Sequence, residues 1–474
     1  MIFQDSLNRL NAFSVIFLIS ILTFTSWFFI LGYNLLDQPF VWDDLHLIRK
    51  YSIKEIYSSW IDNWNPNLIE TPSYRPFAIM FYHAIGQVFG ENTFYLRIFI
   101  IFMMFILILL ANILLYKVGL NRIELIIFTL LIVFSKIFTT LVAWMTLGAL
   151  IFAYVIAFLS IIFFIIWLDK NKIKNYLFSF LFAFIAIFTR EELYVLPGVF
   201  FLILMLTNSE IKKNFKKICF GIIPFGLLVI VHMYLRKEFV PEADSFEITL
   251  DSIKYGTKEI GFGGLFKAFK ASWLPMGYNS FRGSNINEHF FQLVWLSLLI
   301  FTFIINYKFR KNISLNLKKI FIFVLLILLF CLPHITVVRS FGIFLSSTFV
   351  YALISIMLMN LIKLLFLNKN YLYKGLYLLT FFLILATGIY GGIIRSKEHL
   401  NSMNLNSVYI VNYDTNFIFH YHALYPNVNM PEKRYQKKLS HLKSLNISKE
   451  IDDLEYYRTL SNKIVFTKYD PLAF

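Results

Sequence analysis

The sequence predicts an all-α polytopic membrane protein, and three observations carry that prediction. Long apolar runs recur along the chain, about eleven of them, each near the length a helix needs to cross a hydrocarbon core. Charged residues are scarce: 15% of 474 positions, against 58% hydrophobic and 19% aromatic, with 55 phenylalanines, where a soluble domain carries about 25% charged residues. Mean hydropathy is +0.66. In lipid only helices and closed barrels satisfy every backbone group, and continuous apolar runs of this length read as helices.

Taken in order, the runs place spans near 10–33, 94–117, 123–138, 146–168, 176–190, 193–207, 217–235, 289–307, 318–335, 343–367 and 374–394. The first is too long for a signal-peptide core and lacks a small-residue cleavage site, so it reads as a retained helix. The runs 123–138, 176–190 and 193–207 are short, and read as half-helices or tightly packed hairpins. Residues 75–90 are apolar but interrupted by Arg75, His83 and Gln87, and read as a juxtamembrane helix lying in the interface. Beyond 394 the composition changes. Residues 408–413 and 417–422 alternate like short strands, and 432–460 reads as one or two polar helices. The expected organisation is a transmembrane module, 1–394, with outer loops 34–93 and 236–288, and a small extracytoplasmic α/β segment, 395–474.

The net charge of +16 has a membrane explanation. Lys117/Arg122, Lys170/Lys172/Lys174, Lys212/Lys213/Lys216/Lys217, Lys308/Arg310/Lys311/Lys318/Lys319 and Lys369/Lys374 all fall in one alternating set of loops. The positive-inside rule puts that set, and the N-terminus, in the cytoplasm. An odd number of spans then places 395–474 outside. No nucleic-acid partner is needed to account for the charge. The Lys, Asn, Ile and Phe richness is that of an AT-rich bacterial genome, which points to a bacterial cytoplasmic membrane. Cys219 and Cys331 are the only cysteines. Both fall in predicted spans, with no disulfide framework or zinc spacing.

The chemistry-bearing residues lie in the outer set. Asp43 and Asp44 follow the first span by about ten residues, within reach of substrate at the membrane rim. One carboxylate suits a general base, and two with phosphate oxygens suit a divalent cation, Mg or Mn. The competing reading is an N-cap for Leu45-His46-Leu47-Ile48. Arg75 precedes Pro76, which fits the first turn of a helix, and would lie at headgroup level, ready for a phosphate or for ordinary lipid contact. Arg97 has the same ambiguity one turn into the next span. Arg190-Glu191-Glu192 interrupts two short apolar runs. A charged turn there implies either a cavity below the outer surface or a solvated turn. In a cavity, Glu191 would orient an acceptor or balance Arg75, with Arg190 offsetting its charge. Arg339, after His334, is a second phosphate candidate at the outer end of the ninth span, while a lone His at a helix end is more often structural. Neither His46 nor His420/His422 has further ligands at zinc spacing.

These motifs, in this order, resemble the GT-C glycosyltransferases. Phe40-Val41-Trp42-Asp43-Asp44, Ser73-Tyr74-Arg75-Pro76-Phe77 and Phe89-Gly90 resemble the family's first outer loop. Leu141-Val142-Ala143-Trp144-Met145 resembles the next outer turn. Phe188-Thr189-Arg190-Glu191 with Pro197 is similar to a Lys-Glu…Pro signature, with Arg in place of Lys. Arg339-Ser340-Phe341 resembles a late Arg-x-aromatic element. The closest branch is that of the protein O-mannosyltransferases and aminoarabinose-to-lipid-A enzymes. Two departures stand out: Arg97 occupies a position that varies between branches, and 395–474 lacks the helical repeats of some relatives.

The resemblance implies a polyprenyl-phosphate sugar donor (undecaprenyl in bacteria) and a glycan, lipid or protein acceptor in the cell envelope, with transfer on the outer face and inversion. It implies Asp43, Asp44 and Glu191 as catalytic candidates. Arg75, Arg97, Arg190, His334 and Arg339 become candidates for binding substrate and lipid phosphate. Other readings are a flippase or transporter of lipid-linked glycans, an O-antigen polymerase or ligase, and a non-catalytic scaffold. The chain shows no inverted repeat for the first. Its acid-bearing loop comes early, unlike the late key loop of the second. A scaffold leaves the Asp pair unexplained.

Overall fold

The structure is a computed structural model that describes residues 12–36, 47–48, 50–61, 74–90, 92–207, 211–239, 262–274, 286–310, 317–335, 342–367 and 370–405. Among these residues there is helix and no strand. The helices are α1 (Ala12–Trp27), α2 (Ile53–Ile61), α3 (Pro76–Phe89), α4 (Thr93–Lys117), α5 (Arg122–Val133), α6 (Lys136–Ala143), α7 (Gly148–Lys170) and α8 (Ile173–Ile187). They continue with α9 (Leu196–Thr207), α10 (Ile211–Phe239), α11 (Phe262–Ser272), α12 (Ile286–Lys308), α13 (Leu317–Cys331), α14 (Phe344–Leu367) and α15 (Tyr371–Leu405).

Among the described residues, five segments are long and apolar enough to cross a membrane: Ser14–Leu35, Thr93–Lys117, Met145–Lys170, Phe344–Leu367 and Tyr371–Lys397. The expectation of about eleven spans is met only in part among the described residues, and for several of the runs the reason is geometric. The run 123–138 is not one rod. Helices α5 and α6 meet at 56° across Phe134–Ser135 and together make a sixth, broken span. Ser135 caps α6 by accepting from the Phe138 amide, so the break is built into the sequence. Helix α8 has 15 residues and α9 has 12, lengths of about 22 and 18 Å, short of a hydrocarbon core of about 30 Å. The last helix runs unbroken past residue 394 to Leu405. The strands and helices expected in 408–460 lie outside the described residues.

Local sequence explains where the helices start and stop. Asn92 caps α4 through the Tyr95 amide. Asn121 and Glu124 form a reciprocal capping box on α5, satisfying two otherwise orphaned amides. Asn171, in the left-handed conformation at φ 53°, ends α7 and allows the tight return into α8. Packing between helices uses small polar residues. Ser160 Oγ donates to the Ser179 carbonyl at 2.7 Å and Ser179 Oγ donates to the Ser160 carbonyl at 2.8 Å, locking the α7–α8 hairpin at close range. Asn112 joins three helices, donating to Ser20 Oγ and accepting from Thr129 Oγ1. Around these sits a core of Leu, Ile and Phe rings, among them Phe164, Phe200 and Phe225 with centroids 4.4–6.0 Å apart.

The bundle has two chemically different ends. One carries the α4–α5, α7–α8, α12–α13 and α14–α15 junctions, and Lys319 of α13 donates there to the Gly119 carbonyl at 2.6 Å. Lys117, Arg122, Lys170, Lys308, Arg310, Lys318 and Lys374 belong to these junctions. The opposite end carries the start of α3, the α6–α7 junction, the α8–α9 turn and the start of α14. Helix α3, expected in the interface, is half embedded: Ala78, Ile79, Phe81, Tyr82 and Ile85 are buried, and Phe81 stacks on Phe152 of α7.

Candidate functional site

The α8–α9 turn brings the chemistry together. After Ile187 the helix stops, and residues 191–195 form a single 3₁₀ turn before α9 begins at Leu196. Arg190 is extended at φ −152°, ψ 125°, so Arg190, Glu191 and Glu192 project from a break between two apolar helices instead of along a helix face.

Arg75 faces this turn because three contacts place it. Pro76 opens α3 at its first position, where its missing N–H costs nothing. The Phe77 amide then donates to the Phe188 carbonyl at 3.4 Å. Tyr74, buried beside His232, Phe188 and Phe239, donates its hydroxyl to the Trp60 carbonyl at 2.8 Å. Between these anchors Arg75 Nε reaches Glu191 Oε2 at 2.7 Å, with the two side chains 19% and 14% exposed. Burial pushes the Glu191 carboxyl up, but the Arg75 and Arg236 charges outweigh it and hold the group at about 2. Glu191 is ionised at any physiological pH. Its second oxygen, Oε1, is buried with no hydrogen-bond partner.

Glu192 accepts from the Tyr154 hydroxyl of α7 at 3.3 Å, and the same hydroxyl lies 3.3 Å from the Gly342 carbonyl. Tyr194 Oη and His232 Nδ1 are 2.6 Å apart, with His232 fully buried. Arg236, one turn further along α10, acts on both Glu191 and Tyr194. Arg190 is 6% exposed, and its Nε has no hydrogen-bond partner. The described cluster thus sets three arginines, 75, 190 and 236, against two glutamates, 191 and 192. It contains a buried guanidinium N–H, Arg190 Nε, with nothing to bond. Such an arrangement is incomplete without an anion or water.

The sequence candidates distribute unevenly. Arg75, Arg190 and Glu191 converge. Arg97 is buried and donates from Nη1 to the Ala143 carbonyl at 3.1 Å, where its charge complements the C-terminal end of α6. His334 falls in the Leu332–Ile335 turn, with its side chain outside the described set. Asp43, Asp44 and Arg339 also lie outside the described residues. Among the described residues no group of three or more His, Cys, Asp or Glu could hold a metal ion. Tyr154, Tyr194, His232 and Arg236 were not singled out from the sequence. His232 had a signal, a titratable group inside the run 217–235. A lone Tyr154 hydroxyl in a 23-residue apolar helix gave none.

No family model and no curated protein matches the sequence. Among solved structures, the chain is similar to the oligosaccharyltransferase of Archaeoglobus fulgidus. Against the apo crystal structure the TM-score is 0.50 at 12% identity, over 97% of this chain and 60% of that one. Against a crystal structure tethered to an acceptor peptide containing the NVT sequon it is 0.48 at 11% identity, over 88% of this chain and 58% of that one. The chain therefore spans about 60% of the length of that protein. At this identity the apo comparison speaks to the fold alone. The GT-C superfamily and its O-mannosyltransferase-like branch rest on the sequence motifs.

Proposed function

We propose that this chain is an integral-membrane glycosyltransferase of the GT-C type. It transfers a sugar from a polyprenyl-phosphate donor to an acceptor hydroxyl on the outer face of the cytoplasmic membrane, with inversion. The observation that carries this reading is the buried, unbonded Arg190 Nε–H beside the Arg75–Glu191 pair, at the bundle end away from the Lys/Arg junctions. A lipid-linked donor brings its phosphate to headgroup depth, and a preorganised arginine pair there stabilises the phosphate as it leaves.

Each residue has a distinct part in this scheme. Glu191 fixes Arg75 through Nε, which leaves the two terminal nitrogens to face a phosphate. Arg190 supplies a second guanidinium, with a buried N–H free to bond a phosphate oxygen. Glu192 and Tyr154 hold the turn against α7 and the start of α14. Arg339, four residues before Ile343, belongs to the segment leading into α14 and would add a further phosphate contact. Asp43 takes the acceptor proton as the hydroxyl attacks the anomeric carbon. Asp44 caps the following helix or, with Asp43, holds a divalent cation, which when bound would neutralise phosphate oxygens.

The test is Asp43→Asn, which keeps size and removes basicity. In purified, correctly inserted protein it should lower sugar transfer about a hundredfold or more. Turnover within a few-fold of wild type would move the base elsewhere, with Asp44 next to be replaced.

A further inference from the structure

A second site lies at the opposite end of the bundle from Arg75. Helices α12 and α13 follow one another in the chain, and both lie against α14. Between them is a cleft of about 400 Å³, in the range of ligand-holding pockets. Trp273 closes one end. Tyr307 and Leu317 mark the other, and Leu353 and Met357 of α14 form part of the floor. From Leu296 to Tyr307 the cleft follows α12 for about 16 Å, the depth of one leaflet of a core about 30 Å thick.

Two features distinguish this cleft from a gap that any apolar tail would fill. The first is a cluster of basic side chains at the Tyr307–Leu317 end. The Arg310 guanidinium lies 4.4 Å from the centre of the Tyr307 ring, directly at the mouth. Lys308 and Lys318 flank it as the residues next to Tyr307 and Leu317. The second is Asn306, which lines the cleft and is 2% exposed. Its Nδ2 donates to the Thr302 and Met357 carbonyls at 2.9 and 3.3 Å, which fixes the amide's orientation. Its Oδ1 is left buried with no partner, within one turn of Arg310, where a polar group of an occupant would meet it.

We infer that this cleft holds an anionic glycerophospholipid, one acyl chain between α12 and α13 and its phosphate at Arg310, Lys308 and Lys318. Basic pockets between transmembrane helices recognise such headgroups. The occupant is not the sugar donor. The basic mouth lies at the Gly119–Lys319 end, whereas the Arg75–Glu191 end is where α14 begins, with Phe344 stacked on Tyr154. One phosphate cannot reach both. The lipid is then a structural ligand that wedges α12 and α13 apart on α14, and the inference stands or falls independently of the sugar-transfer reading.

The test uses the full chain, delipidated in detergent and offered phosphatidylglycerol or phosphatidylcholine of the same acyl composition, with bound lipid counted by native mass spectrometry. Wild type should retain phosphatidylglycerol at least several-fold over phosphatidylcholine. Replacing Arg310 and Lys318 together by Gln should abolish the preference. Leu353→Trp, which fills the floor, should reduce binding of both lipids. The surface double variant keeps the test decisive if the floor variant fails to fold. Equal retention of the two lipids, an unchanged preference in the double variant, or displacement of phosphatidylglycerol by equimolar polyprenyl phosphate would each overturn the assignment.

Discussion

At the residue scale, the cluster's electrostatics can be tested one side chain at a time. Glu191 is held at about 2, against about 4.3 for a free glutamate. Its folded pKa is depressed, so its stabilisation is complete above about pH 4.3 and is lost as pH falls toward 2. Glu191→Gln removes it at all pH and leaves Arg75 without its carboxylate. The pair is part-exposed, so the cost at neutral pH should be about 2 kcal/mol, below the range for a fully buried pair. Melting temperatures of wild type and variant, followed from pH 6 to 2.5, should differ most at the start and draw together as pH falls. Parallel curves would mean that Glu191 carries no such linkage. Arg190→Ala should weaken donor binding by about 1.5–3 kcal/mol, the range for a charge-assisted hydrogen bond. Arg190→Lys should restore only part of it, because an ammonium lacks the planar fork. Titration with a polyprenyl-phosphate sugar reads both. Unchanged affinity in both variants would remove Arg190 from the phosphate site.

At the element scale, the breaks matter more than the rods. The α5–α6 break is held by Ser135 from within and by α15 from outside. Gly392 of α15 lies so close that a Cβ would collide with the carbonyl oxygen of Phe134. Gly392→Ala must therefore displace backbone, and should destabilise the detergent-solubilised protein by about 1–3 kcal/mol. Gly226, with nothing near its Cβ direction, is the matched control on α10, and its Ala variant should melt within a degree or two of wild type, as expected for substitutions free of steric cost. The sequence pattern made the helices legible because apolar runs report burial or lipid directly. The shortness of the run 123–138 pointed to a half-helix or hairpin, but the 56° turn itself was not legible, because Phe134-Ser135 interrupts the hydropathy only briefly while the capping serine redirects the chain. The Arg190-Glu191-Glu192 turn was legible for the opposite reason: three charges in an apolar stretch have no inexpensive place except a cavity or water. The Tyr154 hydroxyl and the Phe77–Phe188 strap were not, since a hydroxyl in an apolar run and a backbone hydrogen bond have no signature in side-chain pattern. The contact of the Arg97 guanidinium with the Ala143 carbonyl at the end of a neighbouring helix is likewise visible only after folding.

At the scale of the whole molecule, the account is a bundle with one basic end and one end that gathers Arg75, Arg190, Glu191 and Glu192. The orientation follows if the basic end is cytoplasmic. Reporter fusions at Asn171, in the α7–α8 junction, and Asn401, near the end of α15, should then report opposite sides. The same side for both would break the assignment of ends. The fold shared with an oligosaccharyltransferase over 97% of this chain gives the architecture, and the charged cluster supplies the chemistry proposed for it. The most direct test of that proposal is to incubate the purified, lipid-reconstituted protein with a panel of polyprenyl-phosphate sugars and measure release of free polyprenyl phosphate. At least one donor should be consumed, with the rate falling by tenfold or more in both Arg75→Ala and Arg190→Ala, as expected when one charge-assisted contact to the leaving phosphate is lost. A folded protein that consumes none of the donors, or one whose rate neither substitution alters, would contradict the account.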